Sequence, residues 1–182
     1  MTRRSTPTPS PGGWTDGENV CGAVVDLRGN TGGDMGPTLA GLSPLLPDGE
    51  ALRFVAGENS SPVVVEGNNV DGGGTPVTTS GGKLDVPVAV LTDELTASSG
   101  EAALVAFRGL DDARSFGTPT AGYASANMTF TMPDGALILL TAMQFQDQTG
   151  HVLPEAPIEP DEATNDPDQQ ARDWLRDEHG CS

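Results

Sequence analysis

The chain has 182 residues, which is enough for one domain with a substantial hydrophobic core. Its formal net charge of −17 argues against nucleic acid and anionic membranes as partners, because both would repel it, and we interpret the charge as a source of solubility. No apolar run approaches the roughly 18 residues of a membrane span. The two cysteines, Cys21 and Cys181, could form a disulfide, but we favour two unpaired thiols. Neither cysteine has metal-ligand spacing to another ligand, so we expect no metal site.

The first half of the chain predicts one clear strand, one helix and several turns. Residues 1–19 are rich in Pro, Ser and Gly, and we expect a disordered tail before a folded core over residues 20–182. A buried strand is predicted at 22–27 and an amphipathic helix within 35–46. Short strands are indicated at 52–55 and 63–65, separated by glycine-rich loops.

The second half of the chain gives stronger secondary-structure signals than the first half. An apolar strand is predicted at 86–92, followed by a helix that begins at Thr96 or Ser98 and ends at Gly109. A strand at 114–117 and a hairpin over 128–142 come next, and a last amphipathic helix runs from Pro167 to Gly180. This order predicts an α/β domain with a mixed sheet and flanking helices.

Two segments have a pattern suited to nucleophilic chemistry. Ser98 follows a buried strand and opens a helix, where free N–H groups and the helix dipole favour a developing negative charge. The turn at 28–33 contains consecutive glycines, whose backbone N–H groups could approach the same charge. The simpler alternatives are that Ser98 only caps the helix and that the glycines only allow a tight turn.

Taken together and in order, these segments resemble a known family. Residues 24–33 and 90–101 are similar to the glycine-rich motif and the nucleophile segment of the S41 peptidases, the tail-specific or C-terminal processing proteases. Residues 117–122, 134–135, 149–150 and 158–161 resemble that family's later motifs. The resemblance implies a ClpP/crotonase-like α/β core and a serine-type peptidase with Ser98 as nucleophile. It also implies an oxyanion hole made by the backbone of Gly32 or Gly33 with the amide of Ser99.

The chain departs from the family where the general base is expected. Processing proteases of this family use a lysine, but the matching position is Tyr123, and Asn127 stands where the family has a glutamine. The branch similar to the tricorn protease uses a histidine upstream of the glycine-rich motif, but no histidine precedes that motif in this sequence. His151 and His179 both lie downstream, and we interpret them as surface residues.

Two glutamates, Glu155 and Glu101, match family positions, and we interpret them differently. Glu155 is the nearest match to the glutamate of the tricorn-like arrangement, although a solvated loop acid is the simpler interpretation. Glu101 lies one helical turn after Ser98, and we interpret it first as a structural residue that accepts a backbone N–H as in a capping box.

Three hypotheses follow from the sequence. The first is a peptidase core that acts on peptide or protein substrates without a cofactor. The second is a non-catalytic module on the same fold that binds a peptide or small ligand, and the third is an inactive fragment. Because no apolar segment follows Arg3 and Arg4, we predict no signal peptide in this chain. We therefore predict a cytoplasmic location if no residues precede Met1, and no location if they do.

Overall fold

The computed structural model describes residues 20–181, and the predicted tail at 1–19 lies outside that range. The α/β class is confirmed, but the strands form two sheets rather than one mixed sheet. The first sheet is parallel, with the order β1-β6-β7-β10. Its strands are β1 (Ala23–Asp26), β6 (Val88–Thr92), β7 (Ala113–Gly117) and β10 (Glu162–Ala163). All five residues of β6 are buried, which explains the unbroken apolar run of this strand.

The second sheet is antiparallel and has the order β5-β4-β3-β2-β9-β8. Its strands are β2 (Gly49–Ala56), β3 (Asn59–Glu66), β4 (Asn69–Asp71), β5 (Val77–Thr78), β8 (Ser125–Thr131) and β9 (Leu137–Gln146). Strands β2 and β3 are longer than the sequence predicts. The added residues at the start of β2 (49–50) and at both ends of β3 (59–62 and Glu66) are exposed to solvent, and most of them are polar, so they carry no apolar strand signal.

Three helices complete the fold: α1 (Met35–Leu42), α2 (Ser99–Phe107) and α3 (Pro167–His179). Helix α2 contacts β7 of the parallel sheet and both β2 and β9 of the antiparallel sheet, and all nine of its residues are buried. Helix α3 packs on β6 and β7 through Ala171, Trp174 and Leu175. Helix α1 ends earlier than predicted and continues as a 3₁₀ turn (Ser43–Leu45), because Pro44 has no N–H to extend the helical ladder.

The prediction of unpaired thiols is wrong, since Cys21 and Cys181 form a disulfide with their Cα atoms 5.4 Å apart. Gly180 follows α3 in the left-handed conformation, with φ of 71°, and turns the chain back. The bond therefore joins the segment before β1 to the end of α3. A separation of 160 residues gave no local signal of this pairing.

Within residues 20–181, no helix is long and apolar enough to cross a membrane. The same part of the chain contains no cluster of three or more metal-ligating side chains.

Candidate active site

Ser98 has an unusual backbone conformation at the point where the parallel sheet meets α2. Strand β6 ends at Thr92, and α2 begins at Ser99. Ser98 has φ of 53° and ψ of −112°, and within residues 20–181 it is the only residue other than glycine with a positive φ. Such a conformation costs on the order of 1–3 kcal/mol and persists only where surrounding contacts impose it. Residues with such strained backbone are concentrated at active sites and ligand-binding sites, so Ser98 is a candidate site residue.

The glycine-rich loop is held against Ser98 by Asn30. The backbone carbonyl of Asn30 accepts the N–H of Ala97 at 2.9 Å, and its side-chain oxygen accepts the N–H of Gly32 at 3.0 Å. A Cβ atom on Gly32 would lie 2.9 Å from the Cβ of Ser98, and Gly32 has φ of 103°. Glycine is therefore required at this position for both conformation and space.

Two residues of the cleft at Ser98 have backbone amides that make no hydrogen bond within the described part of the chain. The N–H of Gly32 is engaged by Asn30, whereas within residues 20–181 no hydrogen bond engages the N–H of Gly33 or of Ser99. Gly33, Ser98 and Ser99 line the same cleft. Of the two glycines, only Gly33 therefore has an amide without a hydrogen bond to the described residues, and it lies in the same cleft as Ser98 and Ser99.

Glu101 joins the nucleophile segment to the loop at 120–123. Its side chain is fully buried, and Oε2 accepts the N–H groups of Ser98 and Tyr123, both at 2.8 Å. Oε1 accepts the Thr120 hydroxyl at 2.5 Å and the Gly122 N–H at 2.8 Å. The predicted bond to the helix N-terminus is present, and the three further donors give the carboxylate a wider role than a capping box.

Ser98 lies between two clefts. The first, of about 480 Å³, has an apolar wall that includes Met35, Phe54 and Phe145. The second, of about 600 Å³, is lined by Leu95 and by more polar residues. The polar residues of this second wall include Thr31, Glu94, Tyr123 and Thr141. Ser125 and Asn127 line both clefts, so the two form a groove that passes the serine.

The residues at the family's base positions lie in this groove but supply no ordinary base. Tyr123 is 63% exposed and lines the second cleft. The side-chain oxygen of Asn127 accepts a hydrogen bond from the hydroxyl of Thr141 at 3.0 Å. Among the described residues, neither cleft is lined by a lysine or a histidine.

The lysine and both histidines lie elsewhere. Lys83 donates to the carbonyl groups of Ser43 and Leu46 and pairs with Asp48 at 2.9 Å. His151 is exposed, as predicted. His179 is half-buried instead of lying free on the surface, because its ring packs edge-on against Trp174, with the ring centroids 4.6 Å apart.

Glu155 is exposed on a loop and lines neither cleft beside Ser98. The structure therefore does not bring it together with the other predicted site residues. Sequence reasoning missed Asn30 and Thr120, which hold the two loops of the site. Asn30 had a signal, because an Asn two residues before a glycine often accepts that residue's N–H. Thr120 had none.

Comparison with known proteins gives consistent matches. Residues 14–164 match the profile of peptidase family S41. A nisin-resistance protein from Lactococcus lactis subsp. lactis is 38% identical over 161 residues, which are 87% of this chain and 51% of that protein. A lipoprotein structure from Streptococcus agalactiae matches with a TM-score of 0.72 and 33% identity, over 86% of this chain and 54% of the other.

A photosystem II D1 C-terminal processing protease shares the fold, with a TM-score of 0.62 and 20% identity over 80% of this chain and 35% of the other. The chain spans about half the length of the two relatives that match it at 33% and 38% identity.

Proposed function

The chain belongs to peptidase family S41, and on this premise we propose that it is the core of a serine-type peptidase that cuts peptide bonds through an acyl-enzyme on Ser98. One observation carries the proposal. Ser98 is held in a strained conformation at the N-terminus of α2, against a glycine that leaves room for it, with two amides free in the same cleft.

In the proposed reaction, the Ser98 oxygen attacks the carbonyl carbon of the scissile bond. The negative charge that develops on the carbonyl oxygen is stabilised by the N–H groups of Gly33 and Ser99 and by the N-terminal end of α2. Removal of one such donor typically costs about 3 kcal/mol of transition-state stabilisation. The amine product leaves, and water then hydrolyses the ester and restores the serine.

The serine proton must pass to a base and then to the leaving amine. We propose that this base is an imidazole or amine from polypeptide beyond these 182 residues. Two facts support the proposal: the described clefts contain no lysine or histidine, and the chain spans 51% of its Lactococcus relative. The tricorn-like branch, with its upstream histidine, offers the precedent by resemblance.

A fluorophosphonate that phosphonylates activated serines tests this function. In the protein as its gene encodes it, we expect one adduct, on Ser98, found by peptide mapping. The adduct should be absent in Ser98→Ala and retained in Ser80→Ala, a control at an exposed loop serine. With the 182-residue chain alone, labelling should be slow and should accelerate with added imidazole, which replaces the missing base. An imidazole-independent rate equal to that of the whole protein would refute an external base.

The absence of a lysine or histidine from the described clefts also favours a second candidate, a module that binds a peptide in the groove without cutting it. Fluorophosphonate separates the two candidates. A binding module would give no Ser98 adduct with the whole protein, and imidazole would not change this.

The name of the Lactococcus relative supports a proposal for the substrate class. Because that relative is a nisin-resistance protein, we propose that this chain contributes to the cleavage of peptides of the nisin class. Mass spectrometry of nisin after incubation with the whole protein should show fragments that do not form with Ser98→Ala. Intact nisin under conditions where Ser98 is labelled would refute this substrate and leave the peptidase assignment standing.

A further inference from the structure

The β8–β9 hairpin is the most apolar exposed surface in the described part of the chain. Seven of its large apolar side chains are between 40% and 65% exposed: Met128, Phe130, Met132, Leu137, Ile138, Leu139 and Leu140. Asp134, in the turn, is the only charged residue between positions 125 and 146. Contiguous apolar patches are uncommon on soluble proteins and usually mark a binding surface.

The strand register divides these side chains between two faces. Met128 is opposite Leu140, and Phe130 is opposite Ile138. Because side chains alternate along a strand, these four residues share one face, which we call the cleft face. Leu137 and Leu139, opposite Thr131 and Thr129, lie on the other side, the outer face.

The cleft face continues the apolar cleft beside Ser98. Met143 and Phe145 line that cleft and lie two residues apart on β9. The irregularity in pairing after Ala126 absorbs one extra residue of β9, so the face that contains Met143 continues through Leu140 and Ile138. Met128 itself lines the cleft, which joins the two surfaces.

The charges near the groove indicate which peptide would occupy this face. Asp34 and Glu94 line the clefts, and no arginine, lysine or histidine does so among the described residues. With a net charge of −17, the chain attracts cations and repels anions at long range. A peptide with apolar and basic side chains would therefore fit both the apolar cleft face and the negative electrostatic potential around the groove.

We propose that the cleft face binds an extended, cationic segment of the peptide substrate, with its alternate apolar side chains on Met128, Phe130, Ile138 and Leu140. This inference rests on the proposed function, since the same peptide passes Ser98 in the groove. The face from residue 128 to residue 132 covers five residues and spans about 14 Å, at about 3.4 Å per residue step. A substrate therefore needs about five residues beyond those in the cleft to use the whole face.

Binding to Ser98→Ala, which holds a peptide without cutting it, tests the inference by fluorescence anisotropy. The probe is a fluorescein-labelled ten-residue peptide of alternating Val and Lys. Matched probes replace every Lys by Glu, or every Val by Ser. We expect each replacement to weaken binding at least about tenfold, and the Lys–Glu difference to shrink as the salt concentration rises from about 0.05 to 0.5 M.

Two double variants locate the binding surface. Phe130→Ser with Ile138→Ser changes the cleft face, and Leu137→Ser with Leu139→Ser changes the outer face. The outer-face leucines are the more exposed, at 65% and 62%, so they form a stringent control. We expect the cleft-face pair to weaken the Val–Lys probe at least about tenfold and the outer-face pair less than about twofold. Unchanged thermal unfolding in both shows that the fold is intact.

Equal effects of the two pairs, or equal binding of the Lys and Glu probes, would overturn the inference. Light scattering that shows a dimer, dissociated by the cleft-face pair, would also overturn it by assigning the face to a second copy. Fluorophosphonate labelling separates the claims: retained Ser98 labelling with no probe binding refutes only this inference. Probe binding without labelling refutes only the peptidase.

Discussion

Replacement of Glu101 by glutamine should loosen the site without emptying space in the core. Each carboxylate oxygen accepts two donors, so an amide nitrogen in place of either oxygen removes two acceptor bonds. The less costly orientation places that nitrogen next to Thr120, whose hydroxyl can rotate to accept, and leaves the Gly122 N–H unpaired. The bonds on the remaining oxygen also lose their charge assistance.

The magnitude follows from these bonds. One buried unpaired N–H costs about 1–3 kcal/mol, and weakened charge-assisted bonds add about 1 kcal/mol or more. We expect Glu101→Gln to lower the free energy of unfolding by about 3 kcal/mol in urea titration, and to slow fluorophosphonate labelling because the Ser98 N–H is no longer held by a carboxylate.

Glu155→Gln is the matched control for the same change of side chain at an exposed loop position. It should alter neither unfolding nor labelling. Equal stability of Glu101→Gln and the parent chain would refute the four-donor account. Loss of labelling in Glu155→Gln at unchanged stability would return Glu155 to the site.

Three further predictions concern the glycine-rich loop, the turn after β9 and the disulfide. Gly32→Ala should reduce Ser98 labelling at least about tenfold, because the new Cβ would clash with Ser98. Gly29→Ala is the control, since Gly29 also has a positive φ but a Cβ there would meet nothing within 4 Å, and it should not reduce labelling. Equal losses in the two variants would point to backbone strain alone. Burial raises the pKa of Asp147, but hydrogen bonds from its neighbouring turn outweigh burial and hold that pKa below its usual value. The ionised Asp147 carboxylate therefore stabilises the fold above about pH 4, and this contribution is lost as the pH falls through the folded-state pKa. Asp147→Asn should thus lower the free energy of unfolding more at pH 7 than at pH 3 in urea titration. An equal decrease at both pH values would contradict this prediction. Cys21→Ser with Cys181→Ser opens a loop with a sequence separation of 160 residues and should cost up to about 5 kcal/mol in urea titration; an unchanged midpoint would show that the bond does not form.

The disulfide also bears on location. Disulfides persist mainly in oxidising compartments, so we propose a location outside the cytoplasm in place of the predicted cytoplasmic one. Alkylation of the thiols in freshly lysed cells, before and after reduction, distinguishes the two. Labelling of both cysteines without reduction would support the cytoplasm.

Local patterns in the sequence predicted the elements that position the site. The apolar run at 88–92, the helix after Ser98 and the hairpin around Asp134 are each written in consecutive residues, through apolar runs, caps and turn residues. That Ser98 and the glycine-rich loop lie together was implied by the resemblance of these segments to family S41.

Contacts between distant residues were not predictable. Asn30 meets Ala97 across 67 positions, and Glu101 meets Tyr123 through a loop whose path depends on β7. The partition of hairpin residues into a cleft face and an outer face depends on the pairing irregularity after Ala126, which no turn residue marks. The disulfide partners are brought together only by the packing of α3 on the parallel sheet.

We propose that Ser98 is the nucleophile, and the peptidase activity of Ser98→Ala, measured in the protein as its gene encodes it, decides this. Ser80→Ala, at an exposed loop position, serves as the control. We predict that Ser98→Ala loses activity by about 10³-fold or more, since loss of a nucleophile leaves only binding and oxyanion stabilisation, while Ser80→Ala matches the parent. Full activity in Ser98→Ala would show that Ser98 is not the nucleophile.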